Sequence, residues 1–253
     1  MGAGHTHALY VHEHSPIHRL APEAKIVATL GIVVCVAVTP REAIWAFGVY
    51  ALIAVAIVTV SRVSPLFVLL RLAAIVPFLI FALFIPFIGT GETTVVWGME
   101  LSVDGLWASW NVLAKATLGA VVTIVLTATT EVPEIMKGMG VLRVPPLFTA
   151  ITIFMVRYLE LITDELNRMR VAMTARGYDP RWLSQVRPIA SSAGALFVRT
   201  YERGERVHSA MVARGFTGVM PALEHRRASP AEWAAVGLVV LICVVVAALA
   251  VTR

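Results

Sequence analysis

Ala172-Met173-Thr174-Ala175-Arg176-Gly177-Tyr178 and Ala210-Met211-Val212-Ala213-Arg214-Gly215-Phe216 are nearly the same heptapeptide, 38 residues apart. Five of the seven positions are identical, and the other two exchange Thr for Val and Tyr for Phe. Each copy reads as a helix ending. An arginine in the last turn offsets the negative end of the helix dipole, and glycine adopts the left-handed conformation that closes a cap. At the same offset upstream, Asp164 and Arg168 align with Glu202 and Arg206, an acid and an arginine four apart on a helix in both copies. This is a short internal repeat. A cap alone does not require its approach to be duplicated. Small neighbours, Ala175 and Gly177 in one copy and Ala213 and Gly215 in the other, leave each guanidinium uncrowded. An arginine so placed offers a fixed fork of donors to carboxylates or carbonyls in a partner's groove.

Two long helices lead into these endings. Before Gly177, apolar residues recur at Leu147, Ile151, Phe154, Tyr158, Ile162, Leu166, Met169 and Met173. Steps of three and four make one helix face; Arg157, Glu160, Asp164 and Arg168 make a polar stripe on the other. The spacing predicts a helix over 146–175, opened by Pro145-Pro146 and closed by Gly177. At about 1.5 Å per residue it reaches about 45 Å. A second helix is predicted over about 188–213, with Phe197, Tyr201, Gly204, His208 and Met211 on one face, Arg199, Glu202, Arg203 and Arg206 on another, and Gly215 as its stop. The connection between them carries Asp179-Pro180 and Trp182, and a shorter amphipathic stretch over 132–142 precedes the pair.

Outside this region the chain is a different material. Its mean hydropathy is +0.80. Of its 253 residues, 58% are apolar and 15% charged, against about a quarter charged in soluble domains. The composition implies an integral membrane protein and excludes a large soluble core. Segments 26–38, 43–60, 66–88, 112–130 and 233–251 are apolar enough, alone or with tilt, to cross a core that needs about 20 helical residues. Cys35 and Cys243 both lie in apolar runs, so neither a disulfide framework nor a cysteine metal site is expected. Residues 1–19 lack the basic-then-apolar order of a cleaved signal peptide.

Charge then orients the chain. The loop at 89–104 holds Glu92, Glu100 and Asp104 and no Lys or Arg, whereas 131–230 holds 14 of the 21 basic residues. The predicted fold is all-α and polytopic, with about five transmembrane helices and a cytoplasmic domain of long amphipathic helices. Residues 1–25 form a His-bearing cytoplasmic segment, 26–130 four transmembrane helices, 131–230 the cytoplasmic domain with both Ala-Arg-Gly motifs, and 231–253 the last transmembrane helix. Arg253 falls outside the cell. The net charge of +5 is read for this topology, with no nucleic-acid partner expected.

Other functional readings are weaker. Arg71 and Lys115 sit near the ends of their predicted spans and are expected to snorkel to the interface. Pro77 and Pro86 are expected to kink the third span. The sequence holds no G-x-x-x-x-G-K-[ST] loop, no H-E-x-x-H and no carboxylate cluster of the D-D-x-x-D kind within a span. No catalytic residue, cofactor or metal site is therefore assigned. Histidines at 5, 7, 12, 14 and 18 could collect nickel, cobalt or zinc, but a solvated tail is the expected reading.

Together these residues resemble the transmembrane T component of energy-coupling factor (ECF) ABC transporters. The doubled Ala-Arg-Gly helix end carries the resemblance. It extends to the approach His14-Ser15-Pro16-Ile17-His18-Arg19-Leu20-Ala21-Pro22-Glu23-Ala24-Lys25, to Thr129-Thr130-Glu131-Val132-Pro133, to Pro145-Pro146 and to Arg157-Tyr158. The N-terminal match is most similar to the cobalt-transport, CbiQ-type branch. The resemblance implies a multi-pass cell-membrane protein with no catalytic activity of its own. Its partners would be two ABC ATPases, a separate substrate-binding membrane subunit and the lipid bilayer. The ATPases would be held at Ala175, Arg176, Gly177, Ala213, Arg214 and Gly215. Cobalt is the implied cargo; a nickel or vitamin T component, or an ABC permease that itself translocates substrate, are the alternatives.

Overall fold

The computed structural model describes residues 15–88, 93–96, 99–178, 187–216, 218 and 228–252. His5, His7, His12 and His14, Glu92, and the connection carrying Asp179, Pro180 and Trp182 lie outside the described residues. The chain forms two compact units, divided at 138/139 and 225/226.

One unit is a helical bundle. A single turn, α1 (Pro16–Arg19), leads into α2 (Pro22–Val38). The chain returns through α3 (Ile44–Ser61) and crosses again through α4 (Pro65–Leu72), a 3-10 turn at Ala73–Ile75, and α5 (Val76–Ile88). A short antiparallel hairpin follows, β1 (Thr93–Val96) against β2 (Met99–Ser102), in the loop expected to be external. α6 (Val103–Thr129) then runs back, α7 (Val132–Val141) begins beyond it, and α10 (Pro230–Thr252) closes the unit. α6 packs on α2, α3, α4 and α5, and α10 packs on α2 and α3.

The core is apolar, and a polar tie runs through it. Ile32, Val36, Phe47, Val122 and Val246 are buried together around Tyr50, which is 1% exposed. The Tyr50 hydroxyl donates to the Cys243 carbonyl at 3.2 Å and lies 3.1 Å from Thr39 Oγ1, which itself donates to the Cys35 carbonyl at 2.8 Å. Three helices are thereby joined through polar groups buried away from solvent.

The all-α, five-helix expectation holds, with the small hairpin as an addition and one change in which helices qualify. Among the described residues five helices are long and apolar enough to cross a membrane: Ile44–Ser61, Pro65–Phe87, Val103–Thr129, Pro146–Ala175 and Pro230–Thr252. The expected first span is a helix of 17 residues, about 26 Å long; it is the shortest of the long elements and lies between α6 and α10. Pro146–Ala175, placed by its polar stripe in the cytoplasmic region, also has an apolar stretch long enough to span.

Two expectations change in detail. Lys115 is not near the end of its helix, because α6 begins at Val103 rather than at 112. It is level with the end of α2 instead, and its ammonium donates to the Ala37 carbonyl at 2.7 Å, a last-turn acceptor without an intrahelical partner. Pro77 and Pro86 behave differently. The chain tightens to a 3-10 turn just before Pro77, whereas Pro86 lies inside α5 with the helix unbroken. Proline removes the donor for the carbonyl four residues back, here Ala82; Ser109 Oγ of α6 donates to that carbonyl. Gly105 allows the approach, since a Cβ there would stand 2.7 Å from Pro86 Cα.

Loop contacts fix which helix ends lie together. Arg41, after α2, pairs with Asp104, at the start of α6, at 3.2 Å. The 39–43 turn and the hairpin therefore share one end of the bundle. At the opposite end Lys25, in the first turn of α2, donates to the Thr129 carbonyl at the close of α6.

The second unit holds α8 (Pro146–Ala175) and α9 (Arg187–Ala213). Neither helix buries a single described residue. Leu147, Phe148, Ile151, Met155 and Val171 of α8 and Phe197, Val198 and Tyr201 of α9 are all exposed.

Candidate coupling site

α8 ends where the sequence places its stop, and the ending is a complete Schellman motif. The Tyr178 N–H donates to the Met173 carbonyl at 3.1 Å, and the Gly177 N–H donates to the Thr174 carbonyl at 3.0 Å. α9 ends the same way: the Phe216 N–H donates to Met211 O at 3.0 Å, and the Gly215 N–H to Val212 O at 2.9 Å. Gly177 and Gly215 have φ of +78° and +85°. A Cβ at either would meet nothing within 4 Å, so glycine is required by the backbone conformation and not by space.

Within each copy the same two residues are half-buried, Met173 and Tyr178 in one, Met211 and Phe216 in the other. They occupy the positions whose apolar contact accompanies a Schellman cap. Ala175, Arg176, Ala213 and Arg214 are all exposed. The caps are made by backbone groups alone, so the arginine side chains take no part in them. Among the described residues, neither guanidinium has a hydrogen-bond or ion-pair partner.

α8 and α9 meet at a polar crossing that the sequence pattern does not announce. Glu165 accepts from Arg168 on its own helix at 3.0 Å and from Arg199 of α9 at 2.8 Å. The expected pairing of Asp164 with Arg168 is thus replaced by Glu165, three residues away; its counterpart, Arg206 with Glu202, forms at 3.8 Å. Ser192 also donates to Met173 Sδ at 3.5 Å. From the crossing, eleven residues of α8 lead to Arg176 and fifteen of α9 lead to Arg214, arms of about 17 and 22 Å.

Among the described residues no cluster of His, Cys, Asp and Glu could hold a metal ion. His18, the one tail histidine described, has its Nδ1 at 2.7 Å from Ser15 Oγ.

The family model described as "CbiQ: Cobalt transport protein" matches residues 13–225. The energy-coupling factor transporter transmembrane protein EcfT of Bacillus subtilis is 25% identical over 226 residues, covering 83% of each chain. EcfT of Streptococcus thermophilus is 24% identical over 238 residues, covering 86% of this chain and 87% of the relative. A "Putative fused cobalt transport protein CbiMQ" of Methanocorpusculum labreanum is 25% identical over 138 residues, 52% of this chain and 23% of that protein.

Proposed function

We propose a function on the premise that this chain belongs to the CbiQ family and is a multi-pass T component of the energy-coupling factor type. It is the non-catalytic coupling subunit of an ATP-driven importer. Arg176 and Arg214, each flanked by its alanine and glycine, enter grooves on two cytoplasmic ABC ATPases. Residues 1–25 and 131–230 face the cytoplasm.

One observation carries this reading. Two helices end in the same backbone cap, and each presents an exposed arginine that the cap does not use. Identical handles suit identical or homologous grooves, and a rigid cap holds each handle at low entropic cost. The exposed apolar residues of α8 and α9 supply the second contact surface. Exposed apolar residues along a helix suit an interaction surface, and the separate substrate-binding membrane subunit covers it. Nucleotide hydrolysis resides in the partners, because the sequence has no phosphate-binding loop of its own. Cobalt as cargo is supported by the family's description and by the name of the fused relative.

Co-purification from a native membrane tests the proposal. The tagged chain is expected to bring down ATP-binding subunits and an unrelated small membrane protein, and the assembly to import cobalt on ATP hydrolysis. A chain that purifies with copies of itself alone and translocates substrate overturns it.

A further inference from the structure

We infer that the first turn of α2 is a double clamp on the chain where it leaves the helical bundle and where it returns, with Lys25 holding the outgoing strand and Glu23 the incoming one. Their role as positioning residues for energy transfer rests on the coupling function proposed above; the clamp itself does not.

Lys25 is 5% exposed, an unusual place for an ammonium group. Its three N–H bonds meet three acceptors: Thr129 O at 2.9 Å, Thr130 Oγ1 at 3.0 Å and His18 O at 3.3 Å. Thr129 is the last residue of α6 and Thr130 its C-cap. The cation therefore sits at the negative end of the α6 dipole, on a carbonyl that the helix cannot satisfy internally. One residue further on, the chain departs toward α7. Burial lowers the Lys25 pKa to about 8, with Glu134 of α7 opposing the shift, so the group is mostly charged at neutral pH.

Glu23, two residues earlier, is 1% exposed. Its Oε1 accepts the Ala228 N–H at 2.7 Å, just before α10 begins. The same strand is fixed by a capping box, in which Ser229 N–H donates to Glu232 Oε2 at 2.7 Å and Glu232 N–H donates to Ser229 Oγ at 3.3 Å. α7 lies against this turn as well: a Cβ on Gly138 would stand 2.9 Å from the Glu23 nitrogen. One helical turn thus holds the chain just before residue 131 and again at residue 228.

Buried charges hold geometry more strictly than apolar contacts do. Removing one partner leaves a desolvated charge or an orphaned polar group, and that penalty is far larger than for an exposed pair. Motion delivered to the long helices is therefore passed to α2 through both strands together, not absorbed as bending of two independent necks.

Hydrogen–deuterium exchange on the full chain in lipid nanodiscs tests the clamp. Lys25→Met should raise exchange at the Glu134 and Ile135 amides at least tenfold and leave Ala228 unchanged. Glu23→Met should do the reverse. Thr130→Val, which removes a single acceptor, should give a smaller rise at 134–135 and guards against a misfolded Lys25 variant. Unchanged exchange at both strands overturns the clamp. In the assembly with ATPases, Lys25→Met should increase ATP hydrolysed per cargo ion at least fivefold while the subunits remain bound. If exchange rises but that ratio holds, the positioning role is overturned. If the unaltered chain binds no ATPase, the failure belongs to the proposed function, and the exchange result still decides the clamp.

Discussion

Replacing Arg176 and Arg214 by alanine separates a helix cap from a grip. Each cap is made by backbone hydrogen bonds of 2.9–3.1 Å to which the arginine side chains contribute nothing. Arg176 has φ of −88°, which alanine adopts freely. Thermal stability should therefore change by no more than about 0.5 kcal/mol, the usual range for an exposed substitution. Binding should not be spared. A hydrogen bond from a charged group is worth about 1.5–3 kcal/mol, so each single variant should weaken its ATPase contact by about 10- to 150-fold. On the proposed function each tip enters a separate subunit, so the losses should add, and the double variant should lose about 3–6 kcal/mol in assembling with both. Titrating ATPases onto nanodisc-embedded chain measures this, with circular dichroism melts alongside. Gly177→Ala is the converse control: at φ of +78° a Cβ costs about 1–2 kcal/mol, fraying the cap while the charge stays. Undiminished ATPase affinity in the double arginine variant would refute the grip and leave the repeat as two helix stops.

Further outcomes follow from the bundle and its flanks. A single cysteine at position 95 should react with an impermeant thiol reagent from outside the cell and one at position 180 should not; the opposite pattern inverts the topology. Ser109→Ala should destabilise the bundle by about 1–3 kcal/mol by orphaning the Ala82 carbonyl, and Pro86→Ala should recover most of that loss by restoring the missing donor, as a double-mutant cycle of melts will report. Lys25 is a base whose folded pKa, about 8, lies below its ordinary 10.5. The unfolded chain binds more protons between these values, so stability should rise as pH climbs from about 8 to 10.5 and stay flat below that window; Lys25→Met should abolish the rise. Deleting residues 2–10 should leave cobalt uptake at limiting metal unchanged, and a large increase in apparent KM with assembly intact would assign metal collection to the tail.

What was legible in the sequence is what repeats or has a period. Steps of three and four, bracketed by Pro146 and Gly177, give α8 from Pro146 to Ala175 with both ends correct. The duplicated heptapeptide gives two caps with the same hydrogen bonds. Apolar runs locate the spans but not their lengths, because nothing in composition marks where a helix leaves the hydrocarbon. α6 continues outward to Val103, since Ser102 caps it by accepting the Gly105 N–H at 3.3 Å. Hidden altogether were contacts that depend on which elements meet. Ser109 matters because Pro86 has no N–H, and the two are joined only when α5 lies on α6. Glu165 displaces Asp164 as the partner of Arg168 because it also faces Arg199 across the crossing.

The same reasoning separates two classes of charge in this chain. Exposed pairs such as Arg206–Glu202 bind weakly and are screened by salt; they can slide as helices move. Lys25 and Glu23 are sequestered, with their partners at the end of α6 and just before α10. The proposed coupling function would use both properties, yielding contacts where partners dock and unyielding ones at the first turn of α2. The polar crossing of α8 and α9 lies between these extremes: Glu165 has a side chain only 22% exposed, while Arg199 is 63% exposed. If the crossing is a pivot, weakening it should alter the spacing of Arg176 and Arg214 without releasing either cap. If it is a fixed joint, Glu165→Gln should leave that spacing unchanged. Spin-label distances between cysteines at positions 172 and 210, in a chain with Cys35 and Cys243 replaced, distinguish the two. A broadened distance distribution in Glu165→Gln marks a pivot, and an unaltered one marks a joint held by the remaining contact of Ser192 with Met173.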